Sequence, residues 1–405
     1  MKVLIVASLF APWRLGGAEF IAEASARALV NLDHEVHVLT LSPDKSTSQD
    51  HQDGYQVRRI PLLNIYSLQE MSNATTLQRI RWHAKDRWNI AMQDAFSKEL
   101  AMLQPDVVLL HNIAGFSISV YKALSNASVP FVQVLHDHYF CCLYSTMYRK
   151  GKSCERKCLR CALVRRKHAE ITQLATGVIG VSNFILNRTK ALGCFSDVPS
   201  QVIHNLASAP SMGDPPNTTS IARSELKCIF GYLGILSESK GVMDLICAFK
   251  RSAGPLDRLR LAGNLGNGFE QLQFSINADP RIEYLGVVDR ESFFSSIDCL
   301  VVPSRWPEPF GLVAQEACFR GVPVLVSNQG ALQEAISGAA CSYVYDAIDP
   351  DGLTAALEAI LFDGERRRRQ KIVAQSDYKA MEANWIDAYE NTLLLALKKY
   401  PTKSK

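Results

Sequence analysis

One unit recurs along almost the whole 405-residue chain: a short unbroken apolar run, a turn, then apolar residues at helical spacing. It appears in two series. The first opens at residues 3–9, which lack the polar alternation of a half-exposed strand, as expected for a parallel strand covered on both faces. Gly16-Gly17 follows, and Phe20, Ile21, Ala24, Ala28 and Leu29 then repeat with a helical period. Asp33 stands before the next strand, 36–41, where a chain leaving a helix uses a left-handed residue; Asp tolerates that conformation better than most. Further strands are expected at 57–60, 107–111, 131–136, 177–181 and 201–204. The second series begins at Cys228, with strands at 228–233, 259–262, 282–285, 299–303, 324–327 and 342–345. Parallel strands need long crossovers, and the intervening helices supply them. Strand–helix alternation twice over predicts two doubly wound α/β domains, with a ligand in the cleft between them.

The polar stretch 208–224, with Pro210, Pro215 and Pro216, offers little to bury and reads as a linker. The expected organisation is an N-terminal domain over 1–207, a C-terminal domain over 225–375, and a closing helix over 376–405 that returns to the first domain. The run Gly364-Glu-Arg-Arg-Arg-Arg reads as a solvated helix face. A hydrophobic fraction of 47% supports a large core without staples, and a net charge of +4 is too small to point to nucleic acid. No apolar run has membrane-spanning length, and the N-terminal run reads as a buried strand rather than a leader. A cytoplasmic protein is expected, with attachment at the cytoplasmic membrane face left open.

The densest chemical signal is Glu308-Pro-Phe-Gly311-Leu312-Val-Ala-Gln-Glu316, directly after the strand ending at Pro303-Ser304. A strand, a glycine-bearing loop and an apolar helix present free N–H groups to an anion. A carboxylate beside a bound diphosphate is repelled by it, so Glu308 and Glu316 are better explained by hydroxyl recognition. With Gly321-Val-Pro-Val beyond it, this Glu-x7-Glu arrangement resembles family 4 of the GT-B glycosyltransferases, two Rossmann-like domains facing across a cleft. The stretch Gly234-Ile-Leu-Ser-Glu-Ser-Lys240-Gly241-Val-Met-Asp244-Leu is similar to that family's donor-phosphate motif. Leu261-Ala-Gly263, Arg281-Ile-Glu-Tyr-Leu-Gly286, Val181-Ser-Asn183, Val202-Ile-His-Asn205 and Gly16-Gly17-Ala-Glu19 fit in the same order.

The resemblance implies a retaining transferase that uses a nucleotide-sugar donor and needs no metal for catalysis. It implies that Glu316 holds the nucleotide ribose, Glu308 the sugar hydroxyls, and Lys240 the departing diphosphate. Amides near Gly311 and Leu312, the Gly234 loop, and Gly16 and Gly17 would border the donor, and His136 would lie by the transferred sugar. Stabilising a leaving diphosphate is electrostatic work, which suits these groups. One position departs from the pattern: Ile235 stands where the family often has Arg, and Arg305 is put forward as a substitute cation.

Five of the eleven cysteines cluster between Cys141 and Cys161. Cys142 (or Cys141), Cys154, Cys158 and Cys161 have spacings that suit a structural zinc site; unligated thiols and disulfides are the alternatives. The segment 136–167 is assigned to the first domain and is rich in Arg and Lys. So is 79–88, with Trp82 and Trp88, which suits an anionic membrane face or a lipid-diphosphate acceptor as well as an ordinary solvated helix. His83 and His111 are assigned to structure. The leading expectation is transfer of a sugar to a glycan or lipid-linked acceptor in surface polysaccharide or glycolipid synthesis. A sugar-nucleotide epimerase of the same fold and a catalytically degenerate partner subunit are the alternatives; Ile235 speaks for the latter, and the retained Lys240, Glu308 and Glu316 against it.

Overall fold

The computed structural model describes residues 1–14, 16–44, 46–68, 70, 74–210, 228–266, 269–339, 342–363, 373 and 375–399. Most of the expected linker, the arginine run after Gly364, and Cys341 lie outside them. The chain forms two compact units. The first comprises Met1–Met147, Glu155–Asn205 and Glu382–Lys405, the second Tyr148–Cys154 and Leu206–Met381.

The first unit is built on an eight-stranded sheet of β1 (Lys2–Ala7), β2 (Glu35–Ser42), β3 (Ser48–Gln52), β4 (Tyr55–Pro61), β5 (Val107–Leu110), β6 (Phe131–Leu135), β9 (Gly177–Gly180) and β10 (Ser200–Val202). Their order is β10-β9-β6-β5-β1-β2-β4-β3, parallel except for β3 on β4. Val3, Leu4, Ile5 and Val6 are wholly buried, which is why the strand has no alternation. Around the sheet lie α1 (Gly17–Asn31), α2 (Thr76–Asp86), α3 (Ile90–Leu103), α4 (Ser119–Ala127), α5 (Leu159–Val164), α6 (His168–Ile171) and α7 (Asn183–Ala191). Helix α1 buries Ile21, Ala22, Ala26 and Leu29. Phe20 turns outward instead, under the Arg14 guanidinium. Asp33 has a φ of 58°, in the left-handed region.

The second unit has a six-stranded, wholly parallel sheet: β11 (Ile229–Leu233), β12 (Arg258–Ala262), β13 (Ile282–Gly286), β14 (Cys299–Val302), β15 (Val324–Ser327) and β16 (Ser342–Tyr345), ordered β13-β12-β11-β14-β15-β16. The helices are α8 (Val242–Ser252), α9 (Phe269–Asn277), α10 (Arg290–Ser295), α11 (Leu312–Phe319), α12 (Leu332–Ala335) and α13 (Gly352–Phe362). Phe230, Leu245, Phe249, Leu261 and Val301 pack one face; Phe293, Leu300, Ala314, Ala317 and Leu332 pack the other. The chain runs outward from β11 through β12 and β13, then resumes on the opposite side at β14. The carboxyl ends of β11 and β14 therefore flank the point where the winding reverses, the usual ligand position of an open α/β sheet.

Two segments depart from the expected boundaries. The hairpin of β7 (Tyr148–Arg149) and β8 (Lys152–Ser153), inside the stretch assigned to the first domain, groups with the second unit. Within that unit, Ser153 Oγ lies 3.4 Å from Gln329 Oε1. Helix α14 (Gln375–Lys399) belongs to the second unit up to Met381 and to the first from Glu382. In the first unit its Tyr389 and Leu393 are buried, and Glu390 meets His34 at 2.9 Å.

Candidate active site

Past the carboxyl end of β14 the chain turns through Ser304–Glu308 into α11, and past β11 it runs through Gly234 to Lys240 and α8. The two loops are bound to each other: the Arg305 and Trp306 amides both donate to the Ser239 carbonyl, at 2.9 and 3.1 Å. Gly241 makes this approach feasible. Its φ is +71°, and a Cβ there would fall 1.8 Å from the Pro303 carbonyl oxygen.

The contact places Lys240 Nζ 2.7 Å from Glu308 Oε1, and Ser304 Oγ donates to the same oxygen at 2.6 Å. Lys240 Nζ also lies 4.7 Å from the centre of the Trp306 ring. Glu308 is buried, whereas Lys240 keeps over a quarter of its side chain exposed. The carboxylate is thus fixed and the ammonium can still meet an incoming anion. Gly330 closes the other side of Glu308: at φ +68°, a Cβ would stand 2.3 Å from the Glu308 backbone N and O.

Glu316 lies on α11, one helix turn into the core side. Arg290, at the start of α10, holds Oε1; Oε2 is buried and has no hydrogen-bond partner among the described residues. Burial pushes this carboxyl above its usual range, while Arg290 and Arg320 pull the other way. A buried acceptor without a donor is costly to maintain, and a ligand hydroxyl would satisfy it. Gly311 is the N-cap of α11, so the first amides of that helix, from Leu312 onward, are unpaired within it.

Ile235 is 43% exposed and brings no charge to the glycine loop. Arg305, put forward in its place, is gripped by both oxygens of Asp244 and lies 3.8 Å from Glu238 Oε1, which leaves less of its charge for a ligand. Sequence reading missed Arg290, Ser304 and Trp306 as site residues. None carries a motif of its own; each matters only because the fold brings it against a motif residue.

Gly16, Gly17 and His136 belong to the first unit. Gly16 caps α1, with its amide donating to Glu19 Oε2 at 2.8 Å, and Gly17 opens the helix. His136 leaves the end of β6, and its Nε2 lies 2.8 Å from His111 Nδ1. Beside it, burial raises Asp137 to about 6.

Of the cysteines put forward as zinc ligands, Cys161 lies against Cys142 and Cys158, while Cys141 pairs with Cys194. Among the described residues no three His, Cys, Asp or Glu side chains are grouped to hold a metal ion. The Cys142 thiol is pulled down to about 6, first by Cys161, with the amides of Met147, Tyr144 and Thr146 assisting against burial.

Two Rossmann-like units with a glycine loop, a lysine and two glutamates at the reversal of the second sheet define a glycosyltransferase of GT-B architecture. The Glycosyltransferase Family 4 model matches residues 15–207, and the Glycosyl transferases group 1 model matches residues 218–377. The chain belongs to this glycosyltransferase family. A 42.6 kDa protein of the cps region of Klebsiella pneumoniae is 24% identical over 82% of this chain and 87% of its own length. An uncharacterized glycosyltransferase of Methanocaldococcus jannaschii is 24% identical over 90% of each chain. Among solved structures, Anabaena HepE in complex with UDP-glucose superposes with a TM-score of 0.65 at 18% identity, over 98% of this chain and 99% of that one. Among the described residues no helix is long and apolar enough to cross a membrane.

Proposed function

We propose that this glycosyltransferase takes a sugar from a nucleotide donor, with retention of anomeric configuration, and passes it to a glycan or lipid-diphosphate acceptor in surface polysaccharide or glycolipid assembly. The observation that carries the reading is the pair of carboxylates at the sheet reversal: Glu308 held by Lys240 and Ser304, and Glu316 with one buried oxygen still free to accept. In this reading Glu316 receives ribose hydroxyls. Glu308 receives sugar hydroxyls, Lys240 turns to the diphosphate as charge develops on it, and the α11 amides with the Gly234 loop meet the sugar-phosphate end. His136 borders the transferred sugar. No step needs a metal ion.

The relative from a cps region supports the polysaccharide assignment. Contact with an anionic membrane face is supported by α2, where exposed Leu77 and Ile80 lie among Arg79, Arg81 and Lys85. The HepE complex makes uridine nucleotides the first to try. Calorimetric titration with UDP, GDP, ADP and their sugar conjugates tests the reading. Binding of one nucleotide, lost in Glu316→Ala, supports it. Failure of all of them to bind would overturn it in favour of a non-catalytic partner subunit, with Ile235 as the first suspect.

A further inference from the structure

His111 and His136 follow the adjacent strands β5 and β6, and their rings lie edge to edge and nearly coplanar, with centroids 5.1 Å apart and 16° between planes. At 2.8 Å, His111 Nδ1 and His136 Nε2 share one hydrogen. Burial keeps both rings neutral near neutral pH. A neutral imidazole carries a single N–H, so the shared hydrogen has two assignments with different consequences. If His136 donates, His111 carries its own hydrogen on Nε2. If His111 donates, its Nε2 is a bare lone pair and His136 carries its hydrogen on Nδ1.

The surroundings separate the two. His111 Nε2 is buried and has no hydrogen-bond partner among the described residues. The cavity here, lined by His111, Gln133, His136, Asp137 and Tyr139, measures about 10 Å³, the lower limit for one water. Gln133 does not reach it: its amide nitrogen lies within bonding distance of the carbonyls of Leu110, His111 and Val134, its oxygen receives the Tyr121 hydroxyl, and neither pairs with His111 Nε2. A buried N–H without an acceptor is rarer than an under-satisfied lone pair, which selects donation by His111.

We propose that His111 is a positioning residue: by donating from Nδ1 it holds His136 in the Nδ1–H form, so that His136 offers substrate a hydrogen-bond donor rather than a base. This rests on the placement of His136 beside the transferred sugar. The pair also explains why a residue assigned to structure sits wholly buried against a candidate catalytic one.

The test is ring-nitrogen NMR of histidine-labelled full-length protein, alongside kcat and KM. In the wild type, His136 should show a protonated Nδ1 and a bare Nε2. His111→Leu removes the donor, and should move His136 toward the other tautomer and lower kcat/KM about tenfold, the worth of one hydrogen bond, with kcat carrying the loss. His111→Asn places an amide N–H where Nδ1 stood, and should restore both readings. A protonated Nε2 on wild-type His136 would overturn the proposal, and this needs no variant to fold. So would an unchanged His136 tautomer in His111→Leu. The ring signals need no donor. Failure of the wild type with every nucleotide sugar would therefore count against the transferase reading, while the tautomer result still decides this one.

Discussion

At the scale of single residues, the site is a set of charges whose partners differ in how firmly they hold. Glu316 has one oxygen on Arg290 and one without a partner. Its replacement by Ala should weaken nucleotide binding about 10- to 100-fold, the range for a hydrogen bond to a charged group, as read by calorimetry. Lys240 is different, because in the proposed reading its value lies in the charge that forms as the donor breaks. Lys240→Ala should lower kcat on the order of 10²- to 10³-fold, as for loss of an oxyanion-stabilising group, with a modest change in Tm because the lysine is partly exposed. A large fall in Tm with little change in kcat would make Lys240 a structural partner of Glu308. The two glutamates and the lysine were legible in the sequence because each belongs to a motif with its own spacing. Arg290 was not, nor was the pairing of Asp244 with Arg305, because these partners lie 26 and 61 positions apart.

At the scale of elements, the parallel strands were legible because burial on both faces writes an unbroken apolar run. The strand β3 was not. Its sequence, SQDHQ, has no apolar residue, and it exists as the antiparallel edge partner of β4. A signal was present nonetheless: Asp53-Gly54 between Gln52 and Tyr55 is a two-residue hairpin turn, with φ of 43° and 85°. The hairpin of β7 and β8 escaped for the same reason, being short and polar. The junction of the two donor-side loops depends on a single glycine. Gly241→Ala would set a methyl against the Pro303 carbonyl in a left-handed conformation, so the loops must separate. A cost of about 1–3 kcal/mol is expected from the backbone conformation alone, read as a lower Tm, together with loss of nucleotide binding. Retained binding would show that the two loops need not touch.

At the scale of the whole molecule, several buried histidines are held neutral. Desolvation lowers His83 to about 4 and His136 to about 3, and also holds His111 and His168 well below the usual histidine range. The unfolded chain takes up these protons near pH 6.5 and the folded one does not, so stability is full above that value and falls as pH drops toward the folded values. Asp137, raised to about 6, has the opposite sign: its folded form gains a proton first, which offsets part of the loss between its two pKa values. Tm should therefore begin to fall just below pH 6.5, where the histidines act unopposed, at up to about 1.4 kcal/mol per pH unit for each proton. His83→Phe, which keeps a ring between Trp82 and Tyr144, should flatten the acid slope. An unchanged slope would show that His83 is as readily protonated in the folded protein as in the unfolded chain.

The alternation of buried strands and helices and the two α/β units were legible in the sequence alone, because burial period and turn chemistry act over a few neighbouring residues; the glycine loops and the glutamate pair were legible through their resemblance to family motifs. The tertiary structure decided matters of long-range proximity. It set Lys240 on Glu308, Arg290 on Glu316, Asp244 on Arg305 and His111 on His136. It grouped Tyr148–Cys154 with the second unit, and set Cys161 against Cys142 and Cys158. These pairings depend on which strand ends lie side by side once the sheets are wound. That is a property of strand order, which local sequence does not record.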